Sequence, residues 1–181
     1  MTSIAGLQLP IDWTSLGLGW SASPDLGGIT LETGDPKWAW TGRAPALSIH
    51  IFEPTIGDPV AMMSVDHIVV LVPDLDRAIG KFSRAGLEPR LRMKVRNRPA
   101  VFFRAGPVIE VIESPVRQAS LFGIAVTSEI PLETLSLEWR SRGLDVGPIR
   151  PAIQPSRRIM TIRDLDAGLA VMSPDREARR E

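Results

Sequence analysis

One order of elements occurs twice in this chain, and no other feature constrains its fold as much. Residues 65–72 form a continuous apolar run of strand length, rich in β-branched side chains. Pro73-Asp74 punctuates the run, and Asp74 is placed to cap a helix by accepting from its free backbone N–H groups. Leu75, Ile79 and Phe82 then recur at helical spacing, and Gly86 stands where a left-handed C-terminal cap is wanted. Three strand-like stretches follow at 90–96, 100–105 and 108–112, the last two joined at Gly106-Pro107. About 57 residues on, the order returns. Residues 122–127 read as a strand, Pro131 opens a helix carrying Leu132, Leu135 and Trp139 on one face, and Gly143 ends it. Strands are expected at 148–153, 158–163 and 168–172.

Individual residues correspond as well. Phe82 matches Trp139, both read as packing residues, and Gly86-Leu87 matches Gly143-Leu144. Ser114-Pro115-Val116-Arg117 matches Ser173-Pro174-Asp175-Arg176. One such unit cannot cover both faces of a four-stranded sheet with a single helix. Two side by side make a curved mixed sheet with helices on its outer face and a cleft along its inner face. The expected class is α+β, with a first βαβββ module at 63–117, a second at 118–176 and a solvated tail at 177–181.

Residues 1–62 read differently. Trp13, Trp20, Trp38 and Trp40, four of the five tryptophans, lie here among many Gly, Pro, Ser and Thr residues, without helical periodicity. One strand is expected at 46–52, where Leu47, Ile49 and Ile51 alternate with Ser48 and His50. The segment reads as a poorly structured, irregular extension, or as sequence upstream of a start at Met62 or Met63. The functional alternative is a lid or an interaction arm that docks a partner through its tryptophans. His50 is read as a surface or edge-strand histidine.

Composition narrows the chemistry. A chain that is 44% hydrophobic and 23% charged is of the soluble globular type. No apolar run approaches the roughly 18–20 residues of a membrane-spanning helix, and no secretory pattern opens the sequence, so a cytoplasmic protein is expected. The absence of cysteine excludes disulfides, thiolate metal sites and cysteine nucleophiles. With His50 and His67 the only histidines, a metal site would need carboxylates or ligands from another chain. Residues 1–62 hold two basic and six acidic side chains, whereas 63–181 hold nineteen basic and fifteen acidic. That surplus favours a small anionic ligand and is too small for nucleic acid. Phosphate-loop, nucleophile-elbow and His-Glu-x-x-His motifs are absent.

The stretch from Val65 through His67 and Pro73-Asp74 to Asp76 resembles the opening strand and helix of the vicinal oxygen chelate superfamily, which includes glyoxalases, bleomycin-resistance proteins and extradiol dioxygenases. Gly106-Pro107-Val108-Ile109-Glu110-Val111-Ile112 resembles their closing strand. Residues 153–163 are similar to the second half of bacterial glyoxalase-like proteins of unassigned substrate. The resemblance covers about residues 64–175 and implies paired βαβββ modules around a small-molecule cleft, with a homodimer a common arrangement. It also implies a divalent ion held by the first and last strands of each module, polarising substrate oxygens or activating dioxygen.

Module one supplies His67 on its first strand and Glu110 on its last, a pair suited to Zn, Mn, Fe or Ni. The facing positions in module two fall at Gly123 or Ile124 and at Gly168 or Leu169, none of which binds metal. A third ligand would have to come from Glu129, Gln154 or a partner subunit. Two readings stay open. In one, His67 and Glu110 hold a metal and Glu110 is also the catalytic proton carrier. In the other no metal binds: His67 is a hydrogen-bonded residue on the cavity floor, and Glu110 orients a polar ligand or pairs with an arginine.

Residues 90–96 alternate basic and apolar side chains. If the apolar set packs under the helix, Arg92 and Lys94 face the cleft and bind an anionic substrate. Otherwise they are solvated charges protecting a sheet edge. Arg157, Arg158 and Arg104 are substrate-binding candidates with the same structural alternative. The functions left open are a metal-assisted lyase, isomerase or dioxygenase, a metal-free binding or sequestering protein, and an interaction module.

Overall fold

A computed structural model describes residues 2–17 and 19–175. The first sixty residues are not the irregular extension their composition suggests. They build a six-stranded sheet from β1 (Ser3–Leu9), β2 (Pro24–Asp25), β3 (Thr30–Thr33), β4 (Lys37–Thr41), β5 (His50–Ile51) and β6 (Asp58–Pro59), in the order β5-β4-β1-β3-β2-β6. A 3-10 turn at Trp13–Leu16 follows β1, and Asp12 caps it by accepting from the Thr14 backbone N–H. The strand expected at 46–52 survives only as β5, which puts His50 exposed on the sheet edge.

The tryptophans explain the cohesion. Trp13 and Trp38 are fully buried, Trp13 stacks on Trp20 with ring centroids 5.7 Å apart, and Trp38 meets Trp40 edge to face at 5.1 Å. Trp13, Trp20 and Trp38 are core and Trp40 packs partly buried against it, so the rings hold the sheet together.

The second sheet carries the repeat. Module one runs β7 (Met63–Val72), α1 (Leu75–Arg84), β8 (Leu91–Val95), β9 (Arg98–Arg104) and β10 (Val108–Glu113). Module two runs β11 (Ser120–Ser128), α2 (Leu132–Ser141), β12 (Arg150–Pro151), β13 (Arg158–Ile162) and β14 (Gly168–Met172). The order is β12-β13-β14-β11-β7-β10-β9-β8. Read outward from the centre, each half repeats the other: β7 and β11 pair antiparallel, and each has its module's last strand parallel on its other side. This is the expected α+β arrangement. β12 is two residues long rather than six because Pro148 and Pro151 lack the N–H a ladder needs.

The matched residues play matched parts. Asp74 caps α1 by accepting from the Arg77 N–H at 2.8 Å. Gly86 and Gly143 both adopt left-handed φ, of 81° and 85°. Leu87 N donates to Phe82 O, as Leu144 N does to Trp139 O, closing equivalent helix ends. Phe82 and Trp139 are both fully buried. Arg176 and the expected tail lie outside the described residues.

The two sheets share one continuous apolar core. Ile4 N donates to Ala105 O at 2.9 Å, and the buried Trp139 indole donates to Leu16 O at 2.8 Å. A buried tryptophan N–H usually finds a partner. Trp139 finds its partner in the N-terminal segment, whereas the indole N–H groups of Trp13, Trp20, Trp38 and Trp40 are buried without one. No helix among the described residues is long and apolar enough to cross a membrane.

At Gly123, β11 and β14 approach so closely that an added Cβ would fall 2.0 Å from Gly168 O. Backbone cannot move aside cheaply, so Gly123→Ala is expected to cost about 3 kcal/mol, at the upper end for overpacking. In a chain of this length that lowers Tm by roughly 6–12 °C. A variant melting with the wild type would mean that this strand contact is wrong.

Candidate functional site

Along β7 the alternation of buried and open residues breaks once. Met63 and Val65 are buried, and then Ile68, Val70 and Val72, so parity changes between Val65 and Ile68. Pairing with β11 breaks at the same place: Ala125 sits opposite His67, whereas Val126 sits opposite Val65. Asp66 is therefore the extra residue of a β-bulge, and the bulge brings two consecutive polar side chains, Asp66 and His67, to one face.

Cross-strand partners share a face, so the registers lay out that face in rows. One row runs Arg104, Val108, His67, Ala125, Ala170, Thr161, and the next runs Leu91, Phe102, Glu110, Val69, Gly123, Gly168. His67 and Glu110 are thus neighbours on the inner face. Helix α1 covers the opposite face, where Phe82 stacks on Phe103 at 4.1 Å.

The pair sits in a chain of polar contacts. Asp66 Oδ2 lies 2.8 Å from His67 Nδ1, and His67 Nε2 lies 3.5 Å from Glu110 Oε2. On its other side Asp66 Oδ1 accepts from Arg157 Nη2 at 2.7 Å and from the Thr127 hydroxyl at 2.8 Å. Arg157 also reaches Thr127 Oγ1 at 2.8 Å and donates from Nε to Ser173 O at 2.9 Å. Its side chain is only 9% exposed.

The two carboxyls are pushed apart. Burial alone would raise Asp66, but hydrogen bonds from His67, Arg157 and Thr127, with the Arg157 charge, outweigh it and hold the group well below the ordinary carboxylate range. Burial pushes Glu110 above that range, opposed only in part by the charges of His67 and Arg96. An ionised Asp66 can only accept, so Nδ1 of His67 carries the proton. In the neutral ring Nε2 then offers a lone pair to the Glu110 side.

The arginines divide. Arg104 lies on the inner face in the His67 row, exposed, with no carboxylate partner among the described residues. Arg157 is inside the polar chain. The expectation for Arg92 and Lys94 is reversed: they pair with Val101 and Pro99 on the helix side, and Arg92 lies 3.9 Å from Asp76 of α1. Leu91, Met93 and Val95 lie on the inner face instead. The long basic side chains reach solvent past the helix, whereas the apolar ones continue the inner surface begun by Phe102. Arg158 also belongs to the outer side, where it pairs with Glu133 of α2.

The donor set does not fit a resident divalent ion. By register the module-two counterpart of His67 is Gly123, and that of Glu110 is Ala170, one residue beyond the expected Gly168 or Leu169. Both Asp66 oxygens are taken, Oδ2 by His67 and Oδ1 by Arg157 and Thr127. Among the described residues no three His, Cys, Asp or Glu side chains gather as ligands, Glu129 included. Gln154 lies exposed in the turn before Arg157. Such ions normally take three or four protein donors.

Two surface hollows lie away from the pair. One, of about 260 Å³, separates the sheets beside Ile4, Leu26, Ser64 and Pro107; the other, of about 300 Å³, lies beside Phe122 and the loop after β13. The inner face itself is open: His67, Val69, Phe102 and Val108 are half-buried, and Leu91 is 52% exposed.

Sequence reasoning missed Asp66 and Thr127. The signal for Asp66 was the three-residue step from Val65 to Ile68, which no unbroken strand allows if both are core. Thr127 is legible only once β7 and β11 are paired.

No protein-family model and no curated protein matches the sequence. Solved structures do match the fold. Methylmalonyl-CoA epimerase from Mycobacterium tuberculosis superposes with a TM-score of 0.52 at 16% identity, over 65% of this chain and 91% of that one. A hypothetical protein from Bacillus halodurans C-125 gives 0.52 at 14%, over 62% and 95%. A variant of Streptomyces coelicolor methylmalonyl-CoA epimerase in complex with 2-nitronate-propionyl-CoA gives 0.52 at 13%, over 64% and 97%. A methylmalonyl-CoA epimerase in complex with methylmalonyl-CoA and NH4+ is also similar, at 0.51 and 13%, over 64% and 97%. Identities this low speak for architecture alone: the paired βαβββ modules share the fold of these structures.

Proposed function

We propose that the inner face binds a small oxygenated anion and that His67 and Glu110 move a proton on it, without a resident metal. The reaction class is proton transfer next to a carbonyl, as in an isomerase or lyase. One observation carries this reading: two carboxyls flank one imidazole, and their proton affinities are pushed in opposite directions. Asp66 stays ionised and orients the ring, while Glu110 is kept closer to neutral and can carry a proton. Environments that separate the proton affinities of paired groups are how acid and base roles are divided. Arg104, in the same row as His67, is the anchor for the ligand's negative charge. One fold neighbour is complexed with methylmalonyl-CoA, an oxygenated anion, which supports the ligand class.

The test is hydrogen exchange in D2O. The full chain is incubated with pyruvate, malonate and methylmalonate, and loss of the proton next to the carbonyl is followed by NMR. Exchange should exceed the protein-free rate and fall about 100-fold in Glu110→Gln, a typical general acid–base contribution. It should also fall in Arg104→Ala and persist in Arg92→Ala, which lies on the other face. Metal analysis of purified protein runs beside it. A stoichiometric ion lost in His67→Ala would restore the metal-assisted reading and sink this one.

A second reading is binding without chemistry, favoured by the apolar inner surface of Leu91, Met93, Val95 and Phe102. Saturable binding with no exchange in any variant would select it.

A further inference from the structure

The polar chain runs across the modules through Thr127 and Arg157, and Arg157 carries the positive charge there. Asp66 and His67 belong to β7 of module one; Thr127, Arg157 and Ser173 belong to module two. Module two offers only Gly123 and Ala170 at the positions matching His67 and Glu110. Its contribution to the chain is the Arg157 guanidinium together with the Thr127 hydroxyl.

The geometry points to Arg157 as a positioning residue that sets which nitrogen of His67 faces Glu110. This rests on the reading of His67 and Glu110 as the reacting pair, and adds to it how the pair is oriented. Arg157 does not touch the inner-face pair itself. Its Nη2 holds Asp66 Oδ1 at 2.7 Å, leaving Oδ2 turned to His67 Nδ1 at 2.8 Å. Its Nε is fixed by Ser173 O at 2.9 Å, just beyond β14, so the fork cannot swing. A planar fork with several donors can satisfy Asp66, Thr127 and Ser173 together.

A bulged aspartate gains its value from this arrangement. Without a cation behind it, a half-buried carboxylate beside a histidine would accept a proton or turn to solvent. Either change would release the ring to place its proton on Nε2, facing Glu110. The imidazole would then present a donor where it now presents a lone pair. Fixing a histidine tautomer through the nitrogen that does not act is a general use of a carboxylate partner. Here the guanidinium anchors the carboxylate from the other module.

The chain has two histidines, and His50 is exposed on the far sheet, so it serves as an internal reference. The experiment is ¹⁵N-histidine NMR of the full-length protein, read at a pH where both rings are neutral, to see which ring nitrogen bears the proton. Wild-type His67 should show a protonated Nδ1 and a bare Nε2. In Arg157→Gln that preference should fall several-fold, with the His50 pattern unchanged. Arg157→Lys, which keeps the charge, should retain most of it. Asp66→Asn, which keeps the shape and loses the charge, should lose it like Arg157→Gln.

A wild-type ring protonated on Nε2 would overturn the inference. So would a folded Arg157→Gln with the wild-type pattern. Should Arg157→Gln not fold, Arg157→Lys and Asp66→Asn decide: the preference must persist in the first and fall in the second, and the reverse order overturns it. Failure here is distinguishable from failure of the proton-transfer reading. Absence of exchange with any acid leaves the tautomer result standing. A tautomer indifferent to Arg157 leaves the exchange result standing.

Discussion

A chain beginning at Met63 is expected not to fold into a stable domain, although the whole repeated unit remains in it. Removing residues 1–62 takes away the partner of the buried Trp139 indole, Leu16 O, and strips the six-stranded sheet from a core that is continuous across both halves. Losing the indole hydrogen bond costs about 1 kcal/mol. Exposing the apolar residues that now meet Leu7, Leu16, Leu26 and Leu31 costs more, at roughly 25 cal/mol for each Å² returned to water. The sum is expected to exceed about 5 kcal/mol, the lower end of an ordinary domain's entire stability. The truncated chain should be insoluble, or soluble without a cooperative thermal transition by circular dichroism. A truncated chain melting cooperatively within a few degrees of the full protein would show the N-terminal sheet to be an independent appendage.

The second large effect concerns Asp66. Its side chain is 18% exposed and that of Arg157 9%, so the pair is only lightly screened. Asp66→Ala leaves the guanidinium buried without its counter-charge, held only by Thr127 and Ser173 O, and breaking one side of such a pair costs about 3–5 kcal/mol. Arg157→Met should cost a similar amount for the mirrored reason. The double variant should lose less than the two single losses combined, since neither charge is then stranded. Additive losses in chemical denaturation would mean that the two residues act separately.

The same network sets a pH dependence. Folding depresses the proton affinity of Asp66, so its contribution is fully present above the unfolded-state value near 4 and is lost as pH falls below it. Folding raises that of Glu110, so its contribution is present below its unfolded value near 4.3 and is lost as pH rises through the raised one. Stability should therefore fall steeply in acid, and Asp66→Asn should blunt that fall. Glu110→Gln should instead flatten the decline on the other side.

Much of the second sheet was legible because its signals are local. The helix stops at Gly86 and Gly143, the cap at Asp74 and the apolar runs each act within a few residues. The N-terminal sheet was hidden because strands such as Pro24–Asp25 and Asp58–Pro59 are too short to show a period. Their cohesion comes from tryptophans that meet only after folding.

At residues 91–95 the alternation revealed which side chains share a face but not which face is inward, because a period of two reads the same from either side. Packing against α1 and Phe102 decided it. His67 and Glu110 were legible as a pair from the fold they resemble. Their partners were not, because a bulge displaces Asp66 by one position, and Arg157 arrives from a turn whose reach no spacing encodes.

The most direct measurement is a titration of the full-length protein with methylmalonate, following the ring signals of both histidines. Saturable movement of His67 with His50 still, weakened in Arg104→Ala, is the result predicted for a ligand held on the inner face. Saturable binding by calorimetry under the same conditions that leaves the His67 ring signals unmoved would contradict it.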